Sequence, residues 1–251
     1  MKQNSVTTVY LVGAGPGDPE LLTLKALRLI QSAEVIVYDD LVNEQLLEHA
    51  AENCVNHYVG KRCGRHHKTQ DEINTLLLEY AQKYRHIVRL KGGDPMLFGR
   101  GAEEALFLRH HSINFTVVPG VSSALAGPAV AGIPLTSRDI NASVTIMTGH
   151  ESKHGPSKID WENLSGNLVI LMGIHRLHSL VVRLLNVSGY ADSTPIAVIY
   201  RATCKNQHVD TFTLGELEAF LPQLKSPSVI VIGEIVRLRE QLLEVQQLVA
   251  S

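Results

Sequence analysis

The sequence contains no apolar run approaching the ~20 residues of a membrane-spanning helix, which argues against an integral membrane protein. Its first apolar stretch ends at Val12 and is too short for a signal-peptide core, so we expect a cytoplasmic protein. The three cysteines, Cys54, Cys63 and Cys204, lack CxxC spacing, and we interpret them as free thiols rather than metal ligands or a disulfide. The 23 basic and 25 acidic residues nearly balance, and the formal net charge of −2 offers no general attraction to nucleic acid.

Strand-like and helical patterns alternate along the 251 residues, which is typical of an α/β protein. The pattern predicts two α/β domains, 1–126 and 143–251, joined by a linker at 127–142 that contains several glycines and prolines. Less regular strands near Val209 indicate that part of the second sheet is antiparallel. The predicted strands are 9–12, 35–38, 87–90, 115–118, 144–148, 168–172, 196–199, 209–213 and 229–232, and the predicted helices are 19–32, 70–84, 101–110, 121–130, 175–187, 214–221 and 234–248.

Glycine-rich or acidic segments follow all four predicted strands of the first domain. They are 13–18 (GAGPGD), Asp39-Asp40, 91–95 (KGGDP) and 119–123 (PGVSS). Because ligands of open parallel sheets bind at the carboxyl ends of the strands, this edge is the predicted ligand site. Two glycine-rich turns would place bare backbone on both sides of a cleft, which suits a flat ligand with a polar, cationic or ribose portion.

The type of cofactor follows from the first of these turns. Its glycine spacing over 13–17 is GxGxG, which differs from the GxGxxG of dinucleotide-binding proteins. Pro16 and Asp18 also stand where a pyrophosphate needs free amides and no nearby anion. A cationic cofactor with a ribose fits better, because Asp18, Asp39 and Asp94 would tolerate a sulfonium and repel a phosphate. Asp18 by itself is more simply interpreted as a helix cap.

A second group of candidate residues is basic. Segment 61–68 (KRCGRHHK) places six basic or titratable side chains within eight residues, and Arg100 and Arg138 add cations in loops rich in turn residues. If these cations face the site, the substrate is an anion, and a polycarboxylate suits forked guanidinium groups. The alternative is a solvated charged loop, which is the interpretation we prefer for 109–111 (RHH). The histidines lack the spacing of metal ligands, and no metal site is predicted.

The glycine-rich turns belong to a larger set of eight motifs that extends over nearly the whole chain: 10–18 (YLVGAGPGD), 38–42 (YDDLV), 60–64 (GKRCG), 70–74 (QDEIN), 88–95 (VRLKGGDP), 98–104 (FGRGAEE), 118–123 (VPGVSS) and 132–138 (GIPLTSR). In this order and spacing the set resembles the tetrapyrrole methyltransferases. The first motif and the glycine pair at 92–93 are shared across that superfamily, whereas 60–62 and 98–104 resemble its uroporphyrinogen-III C-methyltransferase branch.

This resemblance implies the tetrapyrrole methylase fold, in which two α/β domains have the active-site cleft between them, and it implies a homodimer. The implied cofactor is S-adenosyl-L-methionine, with S-adenosyl-L-homocysteine as its product. The implied reaction methylates uroporphyrinogen III at C2 and C7 and gives precorrin-2 for sirohaem, cobalamin or haem d1 biosynthesis. A precorrin or cobalt-precorrin methyltransferase has the same fold and is the nearest alternative.

The resemblance also assigns roles to residues. Asp39 is expected as the catalytic base and Lys61 as its partnered acid. Arg100 is expected as the third catalytic residue, which binds a substrate carboxylate or orients the substrate rather than acting as a base, because a guanidinium stays protonated. Glu103 lies on the same helical face and could orient Arg100. The substrate-binding residues implied are Asp18, Arg62, Glu103, Arg138 and Met172, and the cofactor-binding residues are Pro16, Gly92, Gly93, Asp94, Leu97, Ser122, Ser123, Met172 and Ala202.

Some positions leave alternatives open. The chain has Ser122-Ser123 where the family commonly has Thr-Ala, and Ala202 where it often has glycine. Met172 has an alternative interpretation as a core methionine. Asp39 would also suit a ribose hydroxyl, so a nucleotide-dependent oxidoreductase is an alternative of another class, and a non-enzymatic tetrapyrrole carrier is a third.

Overall fold

The computed structural model describes residues 6–60, 69–150 and 157–243. The chain divides into two compact units, Met1–Ser122 (unit 1) and Ser123–Ser251 (unit 2). The expected domain boundary at residue 126 falls inside a helix, Ser123–Val130, whose first residue is where unit 2 begins. Within the described ranges, no helix has the length and hydropathy to cross a bilayer.

Unit 1 is built on a sheet of five strands, β1 (Thr8–Gly13), β2 (Val35–Tyr38), β3 (Val55–Tyr58), β4 (His86–Lys91) and β5 (Asn114–Val118). Their order is β3-β2-β4-β1-β5, and all neighbouring strands are parallel. In the central ladder, Val12 of β1 lies beside Leu90 of β4 and Val118 of β5. Because every strand runs the same way, all five carboxyl ends lie on one edge of the sheet.

Helices cover both faces of this sheet. They are α1 (Leu24–Gln31), α2 (Gln70–Ala81) and α3 (Gly101–His110). On one face Ile30 of α1 packs in a buried cluster with strand residues such as Ile36. On the other face Leu77 of α2 and Leu108 of α3 pack with residues such as Leu11. Burial of both faces explains the near-continuous apolar strands and leaves the carboxyl edge as the place for polar chemistry.

The four strands predicted for this sheet are confirmed, and β3 was missed. Its sequence, VNHY, lacks the apolar run that marked the other strands. It lies at the sheet edge, where Val55 and Asn56 are exposed and His57 and Tyr58 are partly buried. The helix predicted over 19–32 is two elements: a 3₁₀ turn, Pro19–Leu21, precedes α1. Thr23 starts α1, because its hydroxyl accepts a hydrogen bond from the amide of Ala26.

Unit 2 contains a second sheet of β6 (Val144–Thr148), β7 (Asn167–Leu171), β8 (Pro195–Tyr200), β9 (His208–Thr213) and β10 (Ser228–Ile232). Their order is β6-β7-β10-β8-β9. Only β6 and β7 pair in parallel, and the other ladders are antiparallel, which confirms the expectation for this sheet. Its helices are α4 (Ser123–Val130), α5 (Leu177–Asn186) and the short α6 (Leu217–Phe220), and residues 238–243 are also helical.

Candidate active site

Two glycine-rich turns meet at the carboxyl edge of the unit 1 sheet. The amide of Gly93 donates to the carbonyl of Gly15 at 2.7 Å, and the amide of Gly15 donates back to Gly93 at 3.3 Å. Both residues have positive φ, +80° and +68°, a conformation that favours glycine. The turns after β1 and β4, predicted to lie near each other, are therefore hydrogen-bonded directly to each other.

The turn after β5 completes this arrangement. A Cβ added at Gly120 would lie 2.3 Å from the carbonyl oxygen of Gly93, and one at Gly13 would lie 2.5 Å from the Cα of Gly120. At Gly13 and Gly120 backbone therefore packs on backbone, and neither position can accommodate a side chain. We call Gly13, Gly15, Gly93 and Gly120 the glycine ledge.

Two acids of this edge bind backbone amides. Asp94 accepts from the amide of Gly120 at 3.0 Å and from that of Met96 at 2.8 Å, so it ties the β4 turn to the β5 turn. Asp18 accepts from the amide of Glu20 at 2.9 Å and caps the 3₁₀ turn that follows it. The interpretation of Asp18 as a cap is confirmed, whereas its assigned part in substrate binding stays a prediction.

Asp39 lies directly after β2 on the same edge. Its Oδ2 accepts a hydrogen bond from Nη2 of Arg89 at 3.2 Å, and its Oδ1 accepts from the amide of Leu41 at 3.3 Å. The Arg89 side chain is 3% exposed, whereas that of Asp39 is 28% exposed. The carboxylate of Asp39 is thus anchored from inside the protein and still reaches the surface.

Asp39 is the outermost member of an ion cluster that continues into the interior through Arg89, Glu104 and Lys91. We call these four residues the buried ion cluster. Nε of Arg89 and Nζ of Lys91 both donate to Oε1 of Glu104, at 3.1 and 2.9 Å. Burial and the neighbouring charge of Arg89 lower the pKa of Lys91, and Glu104 opposes that shift. Sequence analysis did not select Arg89 or Glu104. The signal was present in β4 (HIVRLK), because charged residues in a central parallel strand must be buried and therefore paired.

Arg100 and Glu103 form a pair on the surface at the start of α3. Nε of Arg100 donates to Oε1 of Glu103 at 2.9 Å, and Nη2 donates to the other oxygen. Both side chains are more than half exposed. The hydrogen bond from Arg100 lowers the pKa of Glu103, so Glu103 stays ionised and orients the guanidinium.

The assigned residues of unit 2 lie at the ends of two strands with unusual backbone. Met172 follows β7 with φ +56°, and Ala202 follows β8 between Arg201 and Thr203, whose φ values are +44° and +68°. Since β7 and β8 are both antiparallel to β10, their carboxyl ends share one edge of the sheet. Positive φ at non-glycine residues is costly and concentrates at functional sites. Met172 is 54% exposed, which rules out the core interpretation.

The remaining predicted residues lie in several parts of the chain. Gly92 packs against Leu41, since a Cβ at Gly92 would lie 2.4 Å from the Cβ of Leu41. Pro16 and Leu97 are partly buried in the turns after β1 and β4, respectively. Ser122 is buried, and Ser123 is the first residue of α4. Arg138 is exposed in unit 2. Lys61 and Arg62 lie outside the described residues.

A cavity of about 380 Å³ in unit 2 contains none of the predicted site residues. It is lined by Asn167, Tyr190 and Thr194 among others. Asn167 begins β7 and Thr194 precedes β8, so the cavity lies at the amino ends of these strands, on the opposite edge from Met172 and Ala202. We therefore do not associate this cavity with the predicted site.

Sequence comparison with known proteins finds tetrapyrrole methylases and related enzymes. A family model described as Tetrapyrrole (Corrin/Porphyrin) Methylases matches residues 8–218. The chain is 48% identical over 232 residues to uroporphyrinogen-III C-methyltransferase of Methanocaldococcus jannaschii, a match that covers 91% of this chain and 96% of that protein. It is also 48% identical over 243 residues to siroheme synthase 2 of Aeromonas hydrophila, covering 96% of this chain but only 51% of that longer protein.

A solved structure of such an enzyme is similar to this chain in both fold and sequence. The uroporphyrin-III C-methyltransferase of Thermus thermophilus, in complex with S-adenosylhomocysteine, aligns with a TM-score of 0.80 and 40% sequence identity. The alignment covers 92% of this chain and 99% of that one. The likeness therefore extends over both units.

Proposed function

This chain belongs to the tetrapyrrole methylase family, and we propose that it transfers methyl groups from S-adenosyl-L-methionine to C2 and C7 of uroporphyrinogen III. The two successive reactions give precorrin-2 and S-adenosyl-L-homocysteine, for use in sirohaem, cobalamin or haem d1 biosynthesis. The observation that carries this proposal is the anchored carboxylate of Asp39 on the same sheet edge as the glycine ledge, in a chain of this family.

The glycine ledge suits the methyl donor. Contacts of 2.3 and 2.5 Å to a Cβ added at Gly120 or Gly13 mean that backbone without side chains forms this part of the edge, which a flat adenosine can approach closely. When bound, S-adenosyl-L-methionine supplies a methyl group activated by its sulfonium charge. Its binding is assigned to Pro16, Gly92, Gly93, Asp94, Leu97, Ser122, Ser123, Met172 and Ala202.

Asp39 accepts the proton that the macrocycle loses after methylation. Its two hydrogen bonds fix the carboxylate, and its 28% exposed side chain leaves the base within reach of a substrate. Lys61 serves as the partnered acid. The protein's main task is to align the methyl group with the pyrrole carbon and to exclude water.

Cations bind the carboxylates of the macrocycle. Arg100 stays protonated and presents a guanidinium held in place by Glu103, as a forked carboxylate contact requires. Arg62 and Arg138 supply further cations. Asp18, Glu103 and Met172 complete the assigned substrate-binding set.

The proposal includes a homodimer in the cytoplasm that has no nucleic-acid or membrane partner. The net charge of −2 is in keeping with the absence of a nucleic-acid partner. A sedimentation experiment on the purified chain measures the number of copies directly.

Anaerobic incubation of the pure protein with S-adenosyl-L-methionine and uroporphyrinogen III tests the function. We expect mass spectrometry to show a macrocycle that has gained two methyl groups. Bound S-adenosyl-L-homocysteine without any gain would move the substrate to another tetrapyrrole, as in the precorrin methyltransferases. Binding of a nicotinamide cofactor in place of S-adenosyl-L-homocysteine would favour the oxidoreductase alternative.

Arg100→Ala is expected to lower kcat/KM for uroporphyrinogen III roughly 10- to 100-fold, the value of a charge-assisted hydrogen bond to a substrate carboxylate. The dissociation constant of S-adenosyl-L-homocysteine should not change, because the Arg100 side chain directs its hydrogen bonds within the described residues to Glu103 and not to the glycine-rich turns. Steady-state kinetics and calorimetry measure the two quantities.

Arg109→Ala is the matched control for Arg100→Ala. It removes the same guanidinium from the exposed last turn of the same helix, so kcat/KM should stay at the wild-type value. Equal losses of cofactor binding and turnover in Arg100→Ala would contradict the role assigned to Arg100.

A further inference from the structure

Glu104 is fully buried, although its neighbour Glu103 is exposed. Its Oε1 accepts hydrogen bonds from Nε of Arg89 at 3.1 Å, Nζ of Lys91 at 2.9 Å and Nε2 of Gln70 at 3.2 Å. Its Oε2 is equally buried and accepts no hydrogen bond from the described residues. One oxygen of this carboxylate is thus the meeting point of three donors from two other elements, α2 and β4.

A buried carboxylate is unfavourable unless cations compensate its charge. Here Arg89 and Lys91, which are 3% and 5% exposed, provide that compensation. Well-packed apolar residues in place of Glu104, Arg89 and Lys91 together would often be at least as stable. Stability alone therefore does not account for the presence of the whole charged group, and its contacts indicate a task in positioning.

The contacts continue from Glu104 to Asp39 through a single guanidinium. Arg89 donates to Glu104 through Nε and to Asp39 through Nη2, at 3.1 and 3.2 Å. Its Nη1 donates to the carbonyls of Leu90 and Val37 at 3.0 and 3.4 Å. Every nitrogen of the Arg89 side chain is engaged, so its plane is fixed, and the orientation of Asp39 depends on it.

The balance of charge also links Glu104 to the position of Asp39. The buried ion cluster has two cations, Arg89 and Lys91, and two carboxylates, Asp39 and Glu104. If the charge of Glu104 is removed, Asp39 becomes the only carboxylate of the cluster that both cations can attract. The carboxylate of Asp39 would then be drawn inward, away from its 28% exposed position.

We propose that Glu104 is a positioning residue for methyl transfer, which acts through Arg89 to hold the Asp39 carboxylate at the sheet edge. The inference rests on the proposed function, in which Asp39 accepts a proton from the macrocycle. Glu104 itself does not touch the substrate.

Glu104→Gln tests the proposal, because it keeps the size and one acceptor oxygen and removes the charge. We expect kcat per folded enzyme to fall roughly 10- to 100-fold, the cost of a misplaced reacting group. KM and the dissociation constant of S-adenosyl-L-homocysteine should stay within about twofold of wild type. Glu79→Gln on the exposed side of α2 is the control and should keep the wild-type kcat. A wild-type kcat in folded Glu104→Gln would overturn the proposal.

A double-mutant cycle with Asp39→Asn separates positioning from a merely structural role. If Glu104 acts through Asp39, adding Glu104→Gln to Asp39→Asn should reduce the residual rate by less than about threefold. An additive loss, as large as in the wild-type background, would overturn the proposal. Should Glu104→Gln not fold, Glu104→Asp keeps the charge but shortens the side chain; a lowered kcat supports the proposal and a normal one overturns it.

Crystal structures of wild type and Glu104→Gln without substrate give a readout that does not need the reaction. We expect the Asp39 carboxylate to move by about 0.5 Å or more, the tolerance of a catalytic group. An unmoved Asp39 would overturn the proposal. If the wild type left uroporphyrinogen III unmethylated, the proposed function would fail, while these structures would still decide whether Glu104 positions Asp39.

Discussion

Asp39→Asn is expected to lower the rate of uroporphyrinogen III methylation by about 1000-fold, within the range that a general base contributes. An asparagine amide cannot accept the proton that the macrocycle must lose. Its carbonyl oxygen can still accept the hydrogen bond that Arg89 donates at 3.2 Å, so we expect the fold to be preserved. Single-turnover methyl transfer, followed by mass spectrometry, measures the rate.

The dissociation constant of S-adenosyl-L-homocysteine should be unchanged in Asp39→Asn. Asp210→Asn is the control: it also removes a carboxylate that pairs with a basic side chain, His208, but on β9 of unit 2. Its turnover should match wild type. If Asp39→Asn kept more than about a tenth of the wild-type rate, Asp39 would not be the proton acceptor.

Gly120→Ala is expected to abolish measurable binding of S-adenosyl-L-homocysteine and to lower the free energy of unfolding by about 2–3 kcal/mol. The new Cβ would lie 2.3 Å from the Gly93 carbonyl oxygen and 2.7 Å from the Gly13 Cα. Both contacts are to backbone, so no side-chain rotation relieves them, and the turns of the glycine ledge must move apart. Calorimetry and urea unfolding measure the two effects.

Gly166→Ala is the control for Gly120→Ala. An added Cβ there meets nothing within 4 Å, although the φ of +74° is unfavourable for alanine. We expect a loss of stability of about 1–2 kcal/mol and normal cofactor binding. Normal binding of S-adenosyl-L-homocysteine by Gly120→Ala would show that the glycine ledge is not where the cofactor binds.

The glycine-rich turns were predictable because their signal is local. Each follows an apolar strand, and parallel strands bring their carboxyl ends to one edge whatever their order. The direct hydrogen bonds between Gly15 and Gly93 were not predictable, since they depend on β4 lying beside β1. Strand order is set by long-range packing, which a single sequence does not display.

The charges of β4 indicate that Arg89 and Lys91 need partners, but which residues pair with them was not predictable, for a related reason. Asp39, Arg89 and Glu104 lie far apart in the chain and converge only through the order of the strands and the rotation of α3 about its axis. Adjacent residues of a helix point about 100° apart, so Glu103 can be exposed while Glu104 is fully buried. The short apolar pattern of α3 does not distinguish the two.

The predicted linker shows where a local signal misleads. The glycines and prolines of 127–142 predict a linker, but its first residues, Gly127 and Pro128, lie within α4, in keeping with the helix predicted over 121–130. A Cβ at Gly127 would be 3.1 Å from Ala202 and 3.3 Å from Val229, so this glycine permits close packing of the helix. The same residue type thus marks a turn in one place and a tight helix contact in another.

The strand order β3-β2-β4-β1-β5 also determines when the site can form during synthesis. In the folded sheet β1 lies between β4 and β5 and not beside β2, so the first strand made has no native partner until His86–Lys91 has left the ribosome. Such long-range pairing makes folding slow. The glycine ledge needs β4 and the turn after β5, and the salt bridge of Asp39 needs β4. A nascent chain that ends before residue 86 therefore has neither, and cofactor binding and proton-transfer geometry arise only once the central strand is in place.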